Sequence, residues 1–294
     1  MKITAYRIER FVHDRGRIVG DTNGLAPCVK AYASGLDIGL TDSELGDYYQ
    51  HFADLGVDAG KLKVGPDIDR DLRRLGIVRE ILSANNPHPH LIIDSNEYWS
   101  PKQAIRHISK YEEQFDLTWV EEPARRWDYL GLRKVSQSIR AAVASGENIN
   151  GLDEYLPLLH NGAIDIVQFG GRRGVTVPMM IANFANAYEL AVSYNSSWGN
   201  FMAHAAAAMP NTIMQEVQDL EPPACVRVDS RIEGGYIVLG DTPGFGLTVD
   251  EAKLAELAAA PDPYTPPIQA HVRREGAGLV VIPPRPGEGF YGEI

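Results

Sequence analysis

The strongest constraint on the fold of this chain is a repeated alternation between short β-rich segments and amphipathic segments, which begins at about residue 30. Eight β-rich segments follow one another, at 30–36, 61–64, 90–96, 117–122, 141–147, 165–169, 190–195 and 213–218. Strands that alternate with helices predict a parallel sheet covered by helices. Eight such units predict an α/β protein with a closed (β/α)₈ TIM-type barrel, since an open doubly wound sheet usually has fewer strands and an early glycine-rich phosphate turn.

The clearest helical segment between the strands is 100–115. It begins with Ser100 as N-cap, Pro101 at the first helical position and Gln103 three residues after the cap. A second helix is predicted over 151–162, where Gly162 ends it. These signals support the assignment of helices between successive strands.

The two ends of the chain do not fit the barrel pattern. Residues 1–24 supply one strand-like segment, and we interpret them as the remnant of an N-terminal cap. Residues 25–247 form the predicted barrel, and 248–294 form a C-terminal cap segment. The pattern of residues 247–260 is typical of a helix. The proline-rich run 261–267 that follows is typical of an extended linker.

The charge and the residue composition of the chain limit the kinds of molecule that it is expected to bind. The net charge is −11, and the sequence contains neither a basic run nor an apolar stretch long enough to cross a bilayer. A cytoplasmic protein that binds neither nucleic acid nor membrane is therefore expected. The two cysteines are too few for a disulfide framework or a thiolate zinc site. An anionic substrate would need a local cation to receive it.

Polar residues at the carboxyl ends of the predicted strands are the functional signal, because buried parallel strands are normally apolar and barrel active sites form at those ends. Asp94, Glu121 and Glu147 come from three consecutive strands. Clustered carboxylates need a cation, and oxygen ligands suit Mg²⁺, with Mn²⁺ as a substitute. The alternative is that these acids form salt bridges with lysine or arginine side chains at the rim.

A lysine pair lies across the same end of the predicted barrel. Lys61 and Lys63 are two residues apart on a strand, so both can face the barrel axis. A nearby dication and a second ammonium group lower the pKa of a lysine, which would let Lys63 accept a proton.

The motifs KLKVG, IIDSN, WVEEP, SGEN and MQEV, in this order and spacing, resemble the mandelate racemase/muconate lactonizing branch of the enolase superfamily over about residues 26–250. The resemblance implies that Asp94, Glu121 and Glu147 bind one Mg²⁺ per chain and that Lys63 is the base, beside Lys61. It also implies that Glu216 contacts the substrate. The chemistry implied is removal of a proton α to a carboxylate through an enediolate.

Two departures from the family pattern affect the expected reaction. Gly170 falls where many relatives carry an Asp of a second acid–base pair, and 195–197 falls where they carry its His. Relatives also place roughly a hundred residues of capping domain before the barrel, whereas this chain reaches its first barrel strand by about residue 30.

A sugar-acid dehydratase is therefore the expected activity, in a homo-oligomer that acts on a small carboxylate. A racemase, epimerase or cycloisomerase of the same superfamily is the alternative, and a non-catalytic relative is a third possibility. The residues predicted to contact substrate besides Glu216 are Asn96, Tyr194, Asn195, Ser196 and Arg172.

Overall fold

The structure is a computed structural model that describes residues 27–259 except 36, 150 and 171–173. Eight parallel strands pair in chain order, and the first pairs with the eighth, so the sheet closes on itself. The predicted (β/α)₈ barrel is confirmed. Its strands are β1 Cys28–Ser34, β2 Ala59–Lys63, β3 His90–Asp94, β4 Leu117–Glu121, β5 Ala142–Ser145, β6 Ile166–Phe169, β7 Ala191–Tyr194 and β8 Thr212–Val217.

Helices follow the strands on the outside of the barrel. Their bounds are α1 Asp42–Asp54, α2 Ile68–Leu82, α3 Pro101–Glu112, α4 Tyr129–Ser136, α5 Leu152–His160, α6 Thr176–Ala187 and α7 Ala203–Ala207. The predicted capping box of α3 is present, since the Gln103 side chain accepts from Ser100 at its N-cap. Helix α5 ends before Gly162, whose φ of 56° is left-handed.

Two apolar layers hold the barrel together. The larger lies between the sheet and the helices, and the smaller fills the barrel interior at its amino-terminal end. The interior layer consists of Tyr32, Ala59, Ile92, Trp119, Ala144, Ile166 and Met214. Because side chains two apart on a strand share a face, the residues two positions further along form the next interior layer, at the carboxyl end.

The segment after β8 contains structure that the sequence analysis did not predict. Strands β9 Val226–Val228 and β12 Leu247–Val249 pair with each other, and β10 Arg231–Glu233 and β11 Tyr236–Val238 form a hairpin that pairs with β1. The helix predicted over 247–260 was therefore wrong at its start. Helix α8 is Glu251–Ala259, because the residues before it form β12.

The predicted cap remnant, 1–24, and most of the predicted C-terminal cap segment, including the linker 261–267, lie outside the described residues. Among the helices of the described ranges, none combines the length and the apolar character needed to span a membrane.

Candidate metal centre and active site

The interior layer at the carboxyl end of the barrel is polar and charged. It follows directly from strand periodicity, since Asp94 comes two residues after Ile92, and Glu121 comes two residues after Trp119. Lys61 follows Ala59 in the same way. The strand register places Lys63 opposite Asp94 on the neighbouring strand. Lys61, Asp94 and Glu121 thus reach the same end of the barrel from three neighbouring strands.

Both lysines point into this layer, as predicted. The lowered pKa expected for Lys63 is not found: burial and Lys61 act to lower it, but Asp94 and the other carboxylates raise the pKa of Lys63 above its usual value. Lys63 Nζ lies 2.6 Å from Asp94 Oδ2, and Lys61 Nζ lies 3.3 Å from the same oxygen. Lys61 Nζ also contacts Glu121 Oε1 at 2.7 Å and Glu216 Oε1 at 3.0 Å. Lys61 is therefore a buried hub that three carboxylates from three strands share.

Glu147 reaches the same group from the turn after β5. Its neighbour Gly146 has a φ of 141°, and a Cβ at that position would lie 2.0 Å from the Gln168 carbonyl oxygen. Glycine is required there, because the chain passes against β6 before it turns Glu147 towards the axis.

Side-chain amides bridge the carboxylates. Asn195 Nδ2 lies 3.4 Å from Glu121 Oε1 and 3.2 Å from Glu147 Oε2. Asn96 Nδ2 lies 3.4 Å from both Asp94 Oδ2 and Glu147 Oε1. The three acids predicted as metal ligands are thus no more than two hydrogen bonds apart.

The N–H groups of lysine and asparagine stand between these acids. Within 27–259, gaps apart, no three or more Asp, Glu, His or Cys side chains are arranged so that they could hold a metal ion. The ammonium and amide groups thus separate the carboxylates in this arrangement.

The electrostatics of this layer show an excess of negative charge. Burial, followed by the charges of Asp94, Glu147 and Glu216, raises the pKa of Glu121 to about 8 although Lys61 opposes the shift. Burial and neighbouring carboxylates also raise the pKa of Glu147. Burial opposes ionisation of Glu216 too, but Lys61 and Lys63 lower its pKa to about 2.

The donor set fits a divalent cation. When Asp94, Glu121, Glu147 and Glu216 are all ionised, Lys61 and Lys63 leave two negative charges uncompensated. Buried charges of this kind are costly unless a cation compensates them. The four acidic side chains offer carboxylate oxygens as metal ligands, and Mg²⁺ prefers oxygen ligands. Asp94, Glu121 and Glu147 have the right ligand chemistry for such an ion, but their side chains would have to move together to hold it, because lysine and asparagine donors separate them here.

The remaining residues predicted to contact substrate fall in different places. Asn96 and Asn195 lie among the carboxylates, and the Ser196 backbone N–H donates to Glu216 Oε2 at 2.8 Å. Tyr194 instead packs against Phe169 between sheet and helices, and the structure does not bring it into this layer. Arg172 lies outside the described residues.

Two residues that the sequence analysis did not single out support the site. Gln168 on β6 donates from Nε2 to Glu121 Oε2 at 2.7 Å. It interrupts the apolar strand IVQF, the same signal that identified the acids. Asp37, after β1, accepts from the Lys63 backbone N–H at 3.2 Å and from the Tyr49 hydroxyl at 3.1 Å. Burial raises the pKa of Asp37 to about 7, although Arg74 and Lys63 lower it.

Comparison with known proteins gives a consistent picture. Residues 45–253 match the family model described as enolase C-terminal domain-like. The 3,6-anhydro-alpha-L-galactonate cycloisomerase of Streptomyces coelicolor is 28% identical over 241 residues, which are 80% of this chain and 64% of that protein.

Two crystal structures resemble the fold with a TM-score of 0.70 each. A racemase from Streptomyces coelicolor with bound magnesium is 27% identical, over 79% of this chain and 63% of that one. The L-talarate/galactarate dehydratase of Salmonella typhimurium, liganded with Mg and L-lyxarohydroxamate, is 26% identical, over 78% of this chain and 58% of that one. The chain thus spans less than two thirds of the length of each of these relatives.

Proposed function

Because the chain belongs to the enolase C-terminal domain-like family, in the mandelate racemase/muconate lactonizing branch of the enolase superfamily, we propose that it abstracts a proton α to a carboxylate. The observation that carries the proposal is the juxtaposition of the two lysines of β2 with Asp94 on β3, Glu121 on β4 and Glu216 on β8. A base, a source of positive charge and carboxylates that can hold a metal are the parts that this reaction needs.

Asp94, Glu121 and Glu147 are the proposed ligands of one Mg²⁺ ion, for which Mn²⁺ can substitute. Relatives with magnesium in their crystal structures support the choice of metal. When bound, the ion supplies positive charge beside the substrate carboxylate, which lowers the cost of the additional negative charge that proton removal creates.

Lys63 is the proposed base, and Lys61 stabilises the developing charge. Lys63 is only 3% exposed, so bulk water is largely excluded from the place where a substrate would contact its amine. Glu216, held by Lys61 and by the Ser196 N–H, is the proposed acceptor of a hydrogen bond from substrate.

Dehydration of a sugar acid fits the site better than racemisation. The lysines stand on β2, while Gln168, Ser193 and Asn195, which do not titrate near neutral pH, line the opposite strands. One base on one face is sufficient: Lys63 removes the α-proton and, once protonated, can return it to the departing β-hydroxyl, which leaves as water. The relative liganded with L-lyxarohydroxamate supports a sugar-acid substrate.

The first experiment is a screen of aldonic and aldaric acids with MgCl₂ present, followed by kinetics of Lys63→Ala on any substrate found. We expect the variant to lose at least about 100-fold in kcat, the usual contribution of a general base. Lys30→Ala is the matched control, because Lys30, on β1, forms a partly exposed ion pair with Asp58 outside this site. Equal turnover in wild type and Lys63→Ala would remove Lys63 from the role of base.

The second experiment follows the α-proton in D₂O. A single base predicts that deuterium enters the α-carbon of recovered substrate on one face alone. Incorporation on both faces would instead identify a racemase or epimerase. Mg²⁺ binding without any exchange across the acid-sugar set would favour a non-catalytic relative.

A further inference from the structure

The turns that follow β3 and β4 have an unusual backbone. Asn96, Glu97 and Glu122 have φ angles of 43°, 62° and 44°, in the left-handed region that residues with a Cβ avoid. The two turns are joined, because the Glu97 N–H donates to the Glu122 carbonyl at 2.8 Å. Backbone of this kind persists only where surrounding contacts hold it, and it concentrates at functional sites.

A buried ion pair supplies such contacts. Glu97 Oε1 accepts from the Arg126 backbone N–H, and Glu97 Oε2 accepts from Arg126 Nη2, both at 2.9 Å. Arg125 Nη1 also donates to the Glu97 carbonyl oxygen. Glu97 is 1% exposed and Arg126 is 7% exposed, so water hardly screens the pair. The side chain and the backbone of Glu97 are thus both fixed from the turn after β4.

We expect the Glu97–Arg126 pair to contribute little net stability to the fold. Arg126 Nε and Nη1 are buried and have no hydrogen-bond partner among the described residues. Buried ion pairs often contribute little net stability, and unmade hydrogen bonds of a buried guanidinium add a cost. What the pair does provide is a fixed geometry for the turn that carries Asn96.

Asn96 in turn connects two of the proposed metal ligands. Its backbone N–H donates to Asp94 Oδ1 at 2.8 Å, and its Nδ2 lies 3.4 Å from Asp94 Oδ2 and from Glu147 Oε1. The left-handed φ of Asn96 directs its backbone N–H and its side-chain amide towards Asp94 and Glu147. A relaxed turn would move Asn96 away from both.

We infer that Glu97 and Arg126 are positioning residues, which hold the turn 95–97 in its left-handed conformation and thereby set the arrangement of Asp94 and Glu147. The inference rests on the proposed function in one respect, namely that these two acids help to hold Mg²⁺. The charge of Glu97 also lies near that of Glu147. Replacing Glu97 by alanine or by glycine removes that charge equally, so the difference between these two variants reports the effect that passes through the backbone of the turn.

A comparison of the variants Glu97→Gly and Glu97→Ala separates the effect of the backbone conformation at position 97 from any direct effect of the Glu97 carboxylate. Both substitutions remove the Glu97 side chain and its ion pair, but only glycine adopts a φ of 62° without strain. We expect Glu97→Ala and Arg126→Met to weaken Mg²⁺ binding about 10-fold or more, within the range known for residues that orient metal ligands. Glu97→Gly should stay within about threefold of wild type, by the same reasoning.

The measurements are calorimetric titration with MgCl₂ and hydrogen exchange of the Glu97 amide without metal. The Glu97 N–H should keep its protection in Glu97→Gly, observed at the new glycine, and lose it in Glu97→Ala and Arg126→Met. The double variant Glu97→Gly with Arg126→Met should recover the Mg²⁺ affinity that Arg126→Met loses. Arg73→Met, at an exposed ion pair with Asp42, is the control and should leave both readouts unchanged.

Three results would overturn the inference. Glu97→Ala could bind Mg²⁺ and protect the turn as wild type does, or Glu97→Gly could lose as much as Glu97→Ala, which would assign the role to the carboxylate. Unchanged amide protection in Arg126→Met would also reject it. If wild type binds no Mg²⁺, the metal proposal fails, and the exchange data still decide whether the pair holds the turn.

Discussion

Replacing Asp37 by asparagine should make the protein more stable at neutral and alkaline pH. Asp37 is completely buried, and burial raises the pKa of its carboxyl group to about 7 from 3.8 despite Arg74 and Lys63. Asparagine has the same shape. Its oxygen can accept from the Lys63 N–H, and its amide can donate to the Tyr49 hydroxyl, so the variant loses charge but few hydrogen bonds.

The sign and size of the effect follow from proton linkage. An acid whose pKa is higher in the folded state binds its proton more tightly there, so folding loses stability as pH rises from the unfolded pKa to the folded one. The loss is complete above about pH 7. Each pH unit in this window is worth about 1.4 kcal/mol. Between pH 5 and pH 8, the stability advantage of Asp37→Asn over wild type should therefore grow by about 3 kcal/mol.

The assay is urea unfolding of both proteins at pH 5 and pH 8, at constant ionic strength and without divalent metal. Other titrating groups contribute equally to the two proteins, so the difference between them isolates Asp37. A difference that is the same at both pH values would refute the reasoning, since it would mean that folding does not change the proton affinity of Asp37.

Three further outcomes are expected. Mg²⁺ at about 100 times its dissociation constant should stabilise wild type by about 2.7 kcal/mol, seen as a rise in thermal midpoint over a NaCl control, and Glu121→Gln should lose most of this rise. Gly146→Ala should destabilise by about 3 kcal/mol or more in urea, because the new Cβ meets the Gln168 carbonyl oxygen, whereas Gly76→Ala in open space on α2 should stabilise by about 0.5–1 kcal/mol. Trp119→Ala, fully buried inside the barrel, should cost about 3–5 kcal/mol, and the half-exposed Trp127→Ala should cost less than about 1 kcal/mol.

The barrel and its charged layer could be predicted from the sequence because both depend on strand periodicity. Each strand that ends in a charged residue departs from the apolar pattern of a buried parallel strand, and the shared direction of the strands brings those ends together. Lys61 and Lys63 share a face for the same reason, which their common contact with Asp94 confirms. The metal and substrate roles of these residues stay predictions.

The features that were missed depend on long-range contacts or on backbone conformation. Nothing in the residues around Asp37 indicates that α1 and α2 close over it. The ion pair of Glu97 and Arg126 joins two turns whose left-handed residues carry ordinary side chains. The β10–β11 hairpin did have a local signal, since Gly234 and Gly235 form a two-residue turn between RIE and YIV, but its strands are only three residues long.

The pairing of β1 with both β8 and β11 has a consequence for folding of the chain during its synthesis. β1 completes the barrel by pairing with β8, and its first residues, 28–30, pair with β11, which is synthesised last of the three. A chain that emerges from the ribosome therefore exposes an unpaired edge of β1 until almost all of the described residues are available. Contacts between such distant segments slow folding and leave strand edges open to aggregation. Truncation before Tyr236 should consequently reduce the soluble yield more than it reduces the stability of the molecules that do fold.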